Sequence, residues 1–356
     1  MKIRIGVLTS RSVVLLLLTA RLAWPQAAQV HPPIIDMHLH AHTLSMYGTP
    51  PPTICTNDQE VSYPAVDPRE SRPLKYEQLK SCRVRQSAPS TDAELQRATL
   101  EILQRYNIRA VTTGPLEQVT KWRAAAPDLI IPALPFDDYV DSAGGVLGAP
   151  GYGRGPDAFR RLFQEGRFAL FAEISTQYNG LSPADESLEP YFALAEELDV
   201  PVGIHMGEGP PGAAYFASPK YRARLTSPFL LEEVLVRHPR LRVYVMHYGS
   251  PLVDEMMSML YSHPQLYVDV AGNDWTLPRK EFHSHLRRLV EGGFGKRILF
   301  GSDALIWPRT IEVAIQSIES ADFLTAEQKR DIFYNNAARF LRLEQAEAAR
   351  HFGNQN

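Results

Sequence analysis

Two histidines at alternate positions close the first apolar run of this chain, in Asp36-Met37-His38-Leu39-His40. Side chains of an extended strand alternate between its faces, so His38 and His40 point to one side, where two imidazoles suit a shared metal ion. The same spacing also occurs in hydrogen-bonded core pairs, so further donors must decide. His205 stands in Gly203-Ile204-His205-Met206-Gly207, His247 in Val245-Met246-His247-Tyr248-Gly249, and Asp303 follows Phe300-Gly301-Ser302. Five imidazole and carboxylate side chains at the ends of four apolar runs offer metal binding, and with it the activation of water and the polarisation of a carbonyl.

For these ends to meet, the runs must be parallel strands of one closed sheet. Beyond residue 33, short β-rich runs alternate with amphipathic stretches, the rhythm of parallel strands joined by crossover helices. The pattern predicts strands at 34–40, 108–113, 129–134, 168–174, 202–206, 242–247, 266–270 and 298–302. Helical periodicity follows them, most clearly over 92–106, 188–198, 229–237, 252–260 and 282–291. Thr325-Ala326-Glu327-Gln328 has the form of a capping box opening a final helix. Eight strand–helix units predict an α/β fold, a (β/α)8 TIM barrel over residues 33–343, ahead of a doubly wound open sheet, with a tail over 344–356. Active sites of such barrels sit at the C-terminal ends of the strands, where all five donors stand. Residues 41–90 form a long insertion after the first strand, expected on that same catalytic face.

With these motifs the sequence resembles the amidohydrolase superfamily, most closely the amidohydrolase-related (amidohydrolase 2) branch of metal-dependent hydrolases and decarboxylases. The resemblance runs from Ile34 to about Leu343 and includes the closing Asn335-Asn336-Ala337-Ala338-Arg339-Phe340. It implies that His38, His40, His205 and Asp303 are metal ligands, and that His247 either orients the substrate or ligates a second metal. Members with two metals use a carbamylated lysine or a glutamate near the fourth strand. Glu173 stands there in Ala172-Glu173-Ile174, either bridging a second ion or hydrogen-bonding ligands or substrate from behind. One ion is the simpler expectation and two stay open. Imidazoles and a carboxylate suit Zn2+, with Mn2+, Fe2+ and Co2+ compatible. Asp303 is then the candidate general base for the attacking water, and His247 a candidate for holding the developing oxyanion. The expected reaction is hydrolysis of an amide, ester or lactone. The alternative is a metal-dependent decarboxylase of the aminocarboxymuconate-semialdehyde decarboxylase type, and a non-catalytic exported binding protein is a third reading.

His42, Glu208, Tyr178, Tyr248, Trp275 and Arg309 follow strand ends and are candidates for substrate contact, although loop packing is the more ordinary account of any single aromatic. Arg309 could pair with a substrate carboxylate. His31, His238, His263, His283, His285 and His351 lie near termini, at helix ends or on a polar helix and are expected to be structural.

A chain of 356 residues, 44% hydrophobic and 22% charged, has ample material for a core. Its formal charge of −3, with no basic runs, gives no footprint for nucleic acid and points to a small-molecule partner. Lys2 and Arg4, the apolar run from Val13 to Thr19 and the small residues near Ala28 read as a signal peptide over residues 1–28. An exported enzyme, periplasmic or secreted, is therefore expected, without stable membrane insertion after cleavage and with homo-oligomer formation left open. Export also makes a disulfide between the only two cysteines, Cys55 and Cys82, chemically accessible.

Overall fold

The computed structural model describes residues 31–70, 73–136, 155–216, 218–346 and 351. The leader expected over 1–28 and most of the expected tail lie outside the described residues. The apolar runs form eight parallel strands: β1 (Ile34–His40), β2 (Ile108–Thr113), β3 (Ile130–Leu134), β4 (Leu170–Ile174), β5 (Val202–His205), β6 (Val243–Met246), β7 (Tyr267–Asp269) and β8 (Ile298–Leu299). They hydrogen-bond in sequence order. Closure comes from Met37 N–H donating to Phe300 O at 2.9 Å and His40 N–H donating to Ala304 O at 3.1 Å. Eight strands in a nearly closed barrel, with helices between them, are the TIM-barrel architecture.

Helices α1 (Asp92–Arg105), α2 (Leu116–Ala125), α3 (Pro156–Gln164), α4 (Glu189–Glu197), α5 (Glu232–Arg237), α6 (Val253–Ser262), α7 (Arg279–Leu289) and α8 (Arg309–Glu319) follow the strands. α1 shows why: Thr91 caps its first turn by accepting from Glu94 N–H, and Leu95, Thr99, Ile102 and Leu103 bury one stripe. The Thr325 capping box also forms, with reciprocal bonds of 2.8 and 3.2 Å to Gln328. Inside the barrel, Ile35, Met37, Leu170, Ala172, Tyr244 and Leu299 make a second apolar cluster with Phe340 of the terminal helix. The barrel is thereby filled by side chains below the catalytic face.

β7 and β8 are shorter than the sequence pattern predicts, for a reason that concerns the site. Beyond Asp269 the backbone turns because the Asp269 carboxylate accepts Ala271 N–H at 3.1 Å. Beyond Leu299, Asp303 adopts a left-handed φ of +46° and donates its N–H to His38 O at 2.6 Å. β1 departs from simple alternation as well. Ile35 and Met37 face the interior cluster, whereas Leu39 joins the outer core, and the register with β2 shifts between Asp36 and Leu39. Asp36 Oδ1 accepts His38 N–H at 2.9 Å, satisfying a backbone donor outside the ladder. Bulges of this kind re-aim side chains near active sites.

The insertion carries a short helix at Leu44–Tyr47, another at Tyr76–Leu79 and an antiparallel ribbon of Val61–Ser62 with Ser81–Cys82. A disulfide joins Cys55 to Cys82, with Cα atoms 5.8 Å apart. Hydrogen bonds pin the segment to the loops after β7 and β8: Asn57 to Trp275 O, Asp274 O and Leu277 O, Lys80 Nζ to Thr276 O, and Trp307 Nε1 to Pro52 O. No helix among the described residues is long and apolar enough to cross a membrane.

Candidate metal centre

β1 delivers His38 and His40, β4 delivers Glu173, β5 ends in His205, and His247 and Asp303 follow β6 and β8. All meet at the catalytic face, buried except for the partly exposed Asp303. His38 Nε2 and His40 Nε2 stand 3.1 Å apart, and Asp303 Oδ1 lies 3.0 Å from His40 Nε2 and 3.6 Å from His38 Nε2. His247 Nε2 lies 3.1 Å from His205 Nδ1. Glu173 stands between these groups. Its Oε2 is 3.6 Å from both His38 Nε2 and His40 Nε2, while its Oε1 pairs with His205 Nδ1 and lies 3.9 Å from His247 Nε2. The donors therefore fall into two lobes, His38–His40–Asp303 and Glu173–His205–His247, each with its donor atoms within 4.8 Å of one another. His205 belongs with His247, which follows the neighbouring strand, and Glu173 completes their group.

The donor set fits a divalent cation. His38 Nδ1 faces Asp269 Oδ2 at 3.2 Å, and His247 Nδ1 faces Ala271 O at 2.8 Å, a carbonyl that only accepts, so His247 donates there and its Nε2 is left for the centre. Burying ionised carboxylates among imidazoles is costly unless opposite charge is supplied. Burial alone would raise the Glu173 carboxyl, yet the adjacent charge and hydrogen bond of His205 hold it well below the usual range. Asp303 behaves alike: burial opposes its charge, and His38 and His40 prevail to lower it. Burial disfavours protonation of His38, but the charge of Asp303 and the bonds to Asp269 and Glu173 raise it well above the ordinary value. Burial and the charge of His247 lower His205. Glu173 and Asp303 are thus held ionised by neighbouring imidazoles, the positive charge that an ion would supply instead.

The backbone is fitted to the same task. His247 and Tyr248 occupy left-handed φ of +61° and +43°, conformations uncommon for non-glycine residues and concentrated at functional sites. Gly272, at φ +70°, leaves room beside them, since a Cβ there would stand 2.7 Å from Asp303 Oδ2.

The remaining candidates divide. Tyr178 sets its hydroxyl 3.5 Å from His205 Nε2, at the edge of the centre. His42 is buried, its ring 4.5 Å from that of His40, and its Nδ1 is 2.6 Å from Tyr47 Oη. Glu208 accepts from Ser250 Oγ at 3.1 Å. Three others are engaged elsewhere: Tyr248 Oη bonds His285 Nδ1 at 3.2 Å towards α7, Trp275 Nε1 donates to Ser302 O at 2.7 Å, and Arg309 pairs with Asp58 of the insertion at 2.6 Å. Two residues escaped the sequence reading. Asp269 sits behind His38, and an acid inside Tyr267-Val268-Asp269-Val270 was its available signal. Tyr47 comes from the insertion, where no periodicity marks it.

A sequence profile described as amidohydrolase matches residues 35–343. No curated protein matches the chain. Among solved structures, it is similar to an uncharacterized TIM-barrel protein from Bordetella bronchiseptica, at 16% identity over 89% of this chain and 99% of that one, with a TM-score of 0.56. It is also similar to a probable 2-pyrone-4,6-dicarboxylic acid hydrolase from Acinetobacter baumannii with citric acid bound (14% identity, 87% and 99% covered, TM-score 0.54). A third is 2,6-dihydroxybenzoate decarboxylase from Rhizobium (15% identity, 88% and 99% covered, TM-score 0.52). At these identities the structural likeness shows the fold alone.

Proposed function

Because the chain belongs to the amidohydrolase family, we propose that it is a metal-dependent hydrolase cleaving an amide, ester or lactone bond of a small, uncharged substrate. The observation that carries this reading is the position of Glu173, one oxygen turned to His38 and His40 and the other to His205 and His247. Such a donor set suits two divalent ions, Zn2+ being the best match to imidazole and carboxylate donors. His38, His40 and Asp303 would hold one, His205 and His247 the other, with Glu173 serving both.

When bound, such ions lower the pKa of water and polarise a carbonyl. Asp303 is held ionised and its side chain keeps 18% exposure at the mouth. It takes the proton of the attacking water on the oxygen not turned to His40, then returns it to the leaving group. Tyr178 stands beside His205, where it would meet a bound carbonyl, and the insertion brings the Tyr47 hydroxyl to His42.

One observation bears on the charge of the substrate. Arg309 is engaged by Asp58, and Lys80 bonds Thr276 O. The cation expected to meet a substrate carboxylate is thus held by the insertion. Solved relatives of this fold carry names of both chemistries, a probable dicarboxylic acid hydrolase and a decarboxylase. The leader-like N-terminal sequence and the Cys55–Cys82 disulfide support an exported, periplasmic or secreted enzyme.

The test is a panel of neutral esters, lactones and amides beside aromatic acids, run with zinc-loaded protein in 18O water. The reading expects solvent 18O in the product carboxylate. CO2 release without 18O incorporation would establish the decarboxylase instead.

A further inference from the structure

We propose that Asp269 is a positioning residue that serves both lobes of the centre, each through a different oxygen atom. The proposal rests on the two-lobe reading above. Asp269 is fully buried at the end of β7. Its Oδ2 lies 3.2 Å from His38 Nδ1, and its Oδ1 accepts the backbone N–H groups of His247 at 2.7 Å and Ala271 at 3.1 Å. His38, His247 and Asp269 also bring donor atoms within 4.8 Å of one another. Three N–H groups already occupy the two oxygens, however, which sets the carboxylate behind the imidazoles.

An ionised carboxylate only accepts hydrogen bonds. Facing Oδ2, the neutral His38 ring must carry its proton on Nδ1, and its Nε2 lone pair is left for the ion. Oδ1 meanwhile fixes the turn in which His247 holds a left-handed backbone and aims its own Nε2 at His205. One side chain thus sets the tautomer of a ligand in the first lobe and the backbone of a ligand in the second.

Two substitutions separate these roles. In Asp269→Asn, two backbone N–H groups demand the amide oxygen, so the amide NH2 must face His38 Nδ1. His38 is then driven to the opposite tautomer, with its proton on Nε2 and no lone pair for the ion. The His247 turn keeps its acceptor. In Asp269→Ala, His38 loses its anchor and the His247 N–H loses its acceptor together.

Two measurements on the full chain test this. The first is the 15N NMR signature of His38 in zinc-free protein at alkaline pH, where the ring is neutral, identified by its loss in His38→Gln. The second is zinc affinity by competition with a chromophoric chelator. Wild type should show the Nδ1–H form, and Asp269→Asn the Nε2–H form with one zinc site weakened about 10- to 100-fold and the other unchanged. Asp269→Ala should weaken both. An Nε2–H tautomer in wild type, or two wild-type affinities in Asp269→Asn, would overturn the proposal. Should Asp269→Asn not fold, the wild-type tautomer decides. Wild type that binds no zinc defeats the two-lobe reading, while the tautomer still judges Asp269.

Discussion

Asp36 accepts the backbone N–H of Ser302 at 2.9 Å, tying the first barrel strand to the residue that precedes Asp303. The same oxygen accepts His38 N–H, so a single buried carboxylate sets the bulge that aims His38 and the turn that presents Asp303. Removing it should disturb both ends of the first lobe. Asp36→Ala leaves two buried backbone donors without their acceptor, and an unsatisfied buried group costs about 1–3 kcal/mol. A loss of about 2–5 kcal/mol in urea unfolding, accompanied by weaker zinc uptake, is expected. Wild-type stability in this variant would show that the bulge forms without Asp36.

Metal content should separate the lobes. His40→Ala and His205→Ala are each expected to lower the zinc bound per chain after dialysis, one from each lobe. Asp303→Asn should reduce kcat by about 10²–10⁴-fold, the usual scale for losing a positioned acid–base group. Full turnover by metal-free Asp303→Asn protein would contradict the mechanism.

The disulfide closes a segment with little core of its own, at a sequence separation of 27. Replacing Cys55 and Cys82 by serine should cost about 2–4 kcal/mol. Thermal unfolding with and without a reductant checks this: the reductant should lower the wild-type midpoint and leave the double variant unmoved.

Lys80 gives a pH signature. Its side chain is 1% exposed, and burial, aided by the nearby charge of Arg85, lowers its pKa to about 7 from the ordinary 10.5. Between those values the unfolded chain binds a proton that the folded chain does not, so this group makes stability rise with pH from about 7 to about 10.5. Below pH 7 the lysine is charged in both states and its contribution is flat. Urea unfolding of wild type and Lys80→Met across pH 6–10 (roughly the titration window) should show the excess slope only in wild type. Equal slopes would mean that water reaches the ammonium.

Much of the centre could be read from residue order. His38, His40, His205, His247 and Asp303 stand at strand ends, and a closed parallel barrel gathers strand ends whatever the remaining sequence does. The period of the apolar runs therefore carried the fold, because it reports local burial, and local burial is what makes strands and helices. That Glu173 stands between the His38–His40 and His205–His247 pairs was not legible in that period, since it depends on side-chain reach across the barrel mouth.

The same division explains the substrate candidates. Sequence placed Arg309 and Tyr248 after strand ends, and only tertiary structure could direct one to Asp58 and the other to His285. Asp269 and Tyr47 entered the site for the complementary reason: their roles come from partners far along the chain or within an aperiodic insertion. By itself, the sequence determined the barrel, the face that carries chemistry and the chemical type of its donors. Packing decided which donors share a lobe and which partners each of them meets, because hydrogen bonds and Coulomb forces act over a few ångströms in space and ignore separation along the chain.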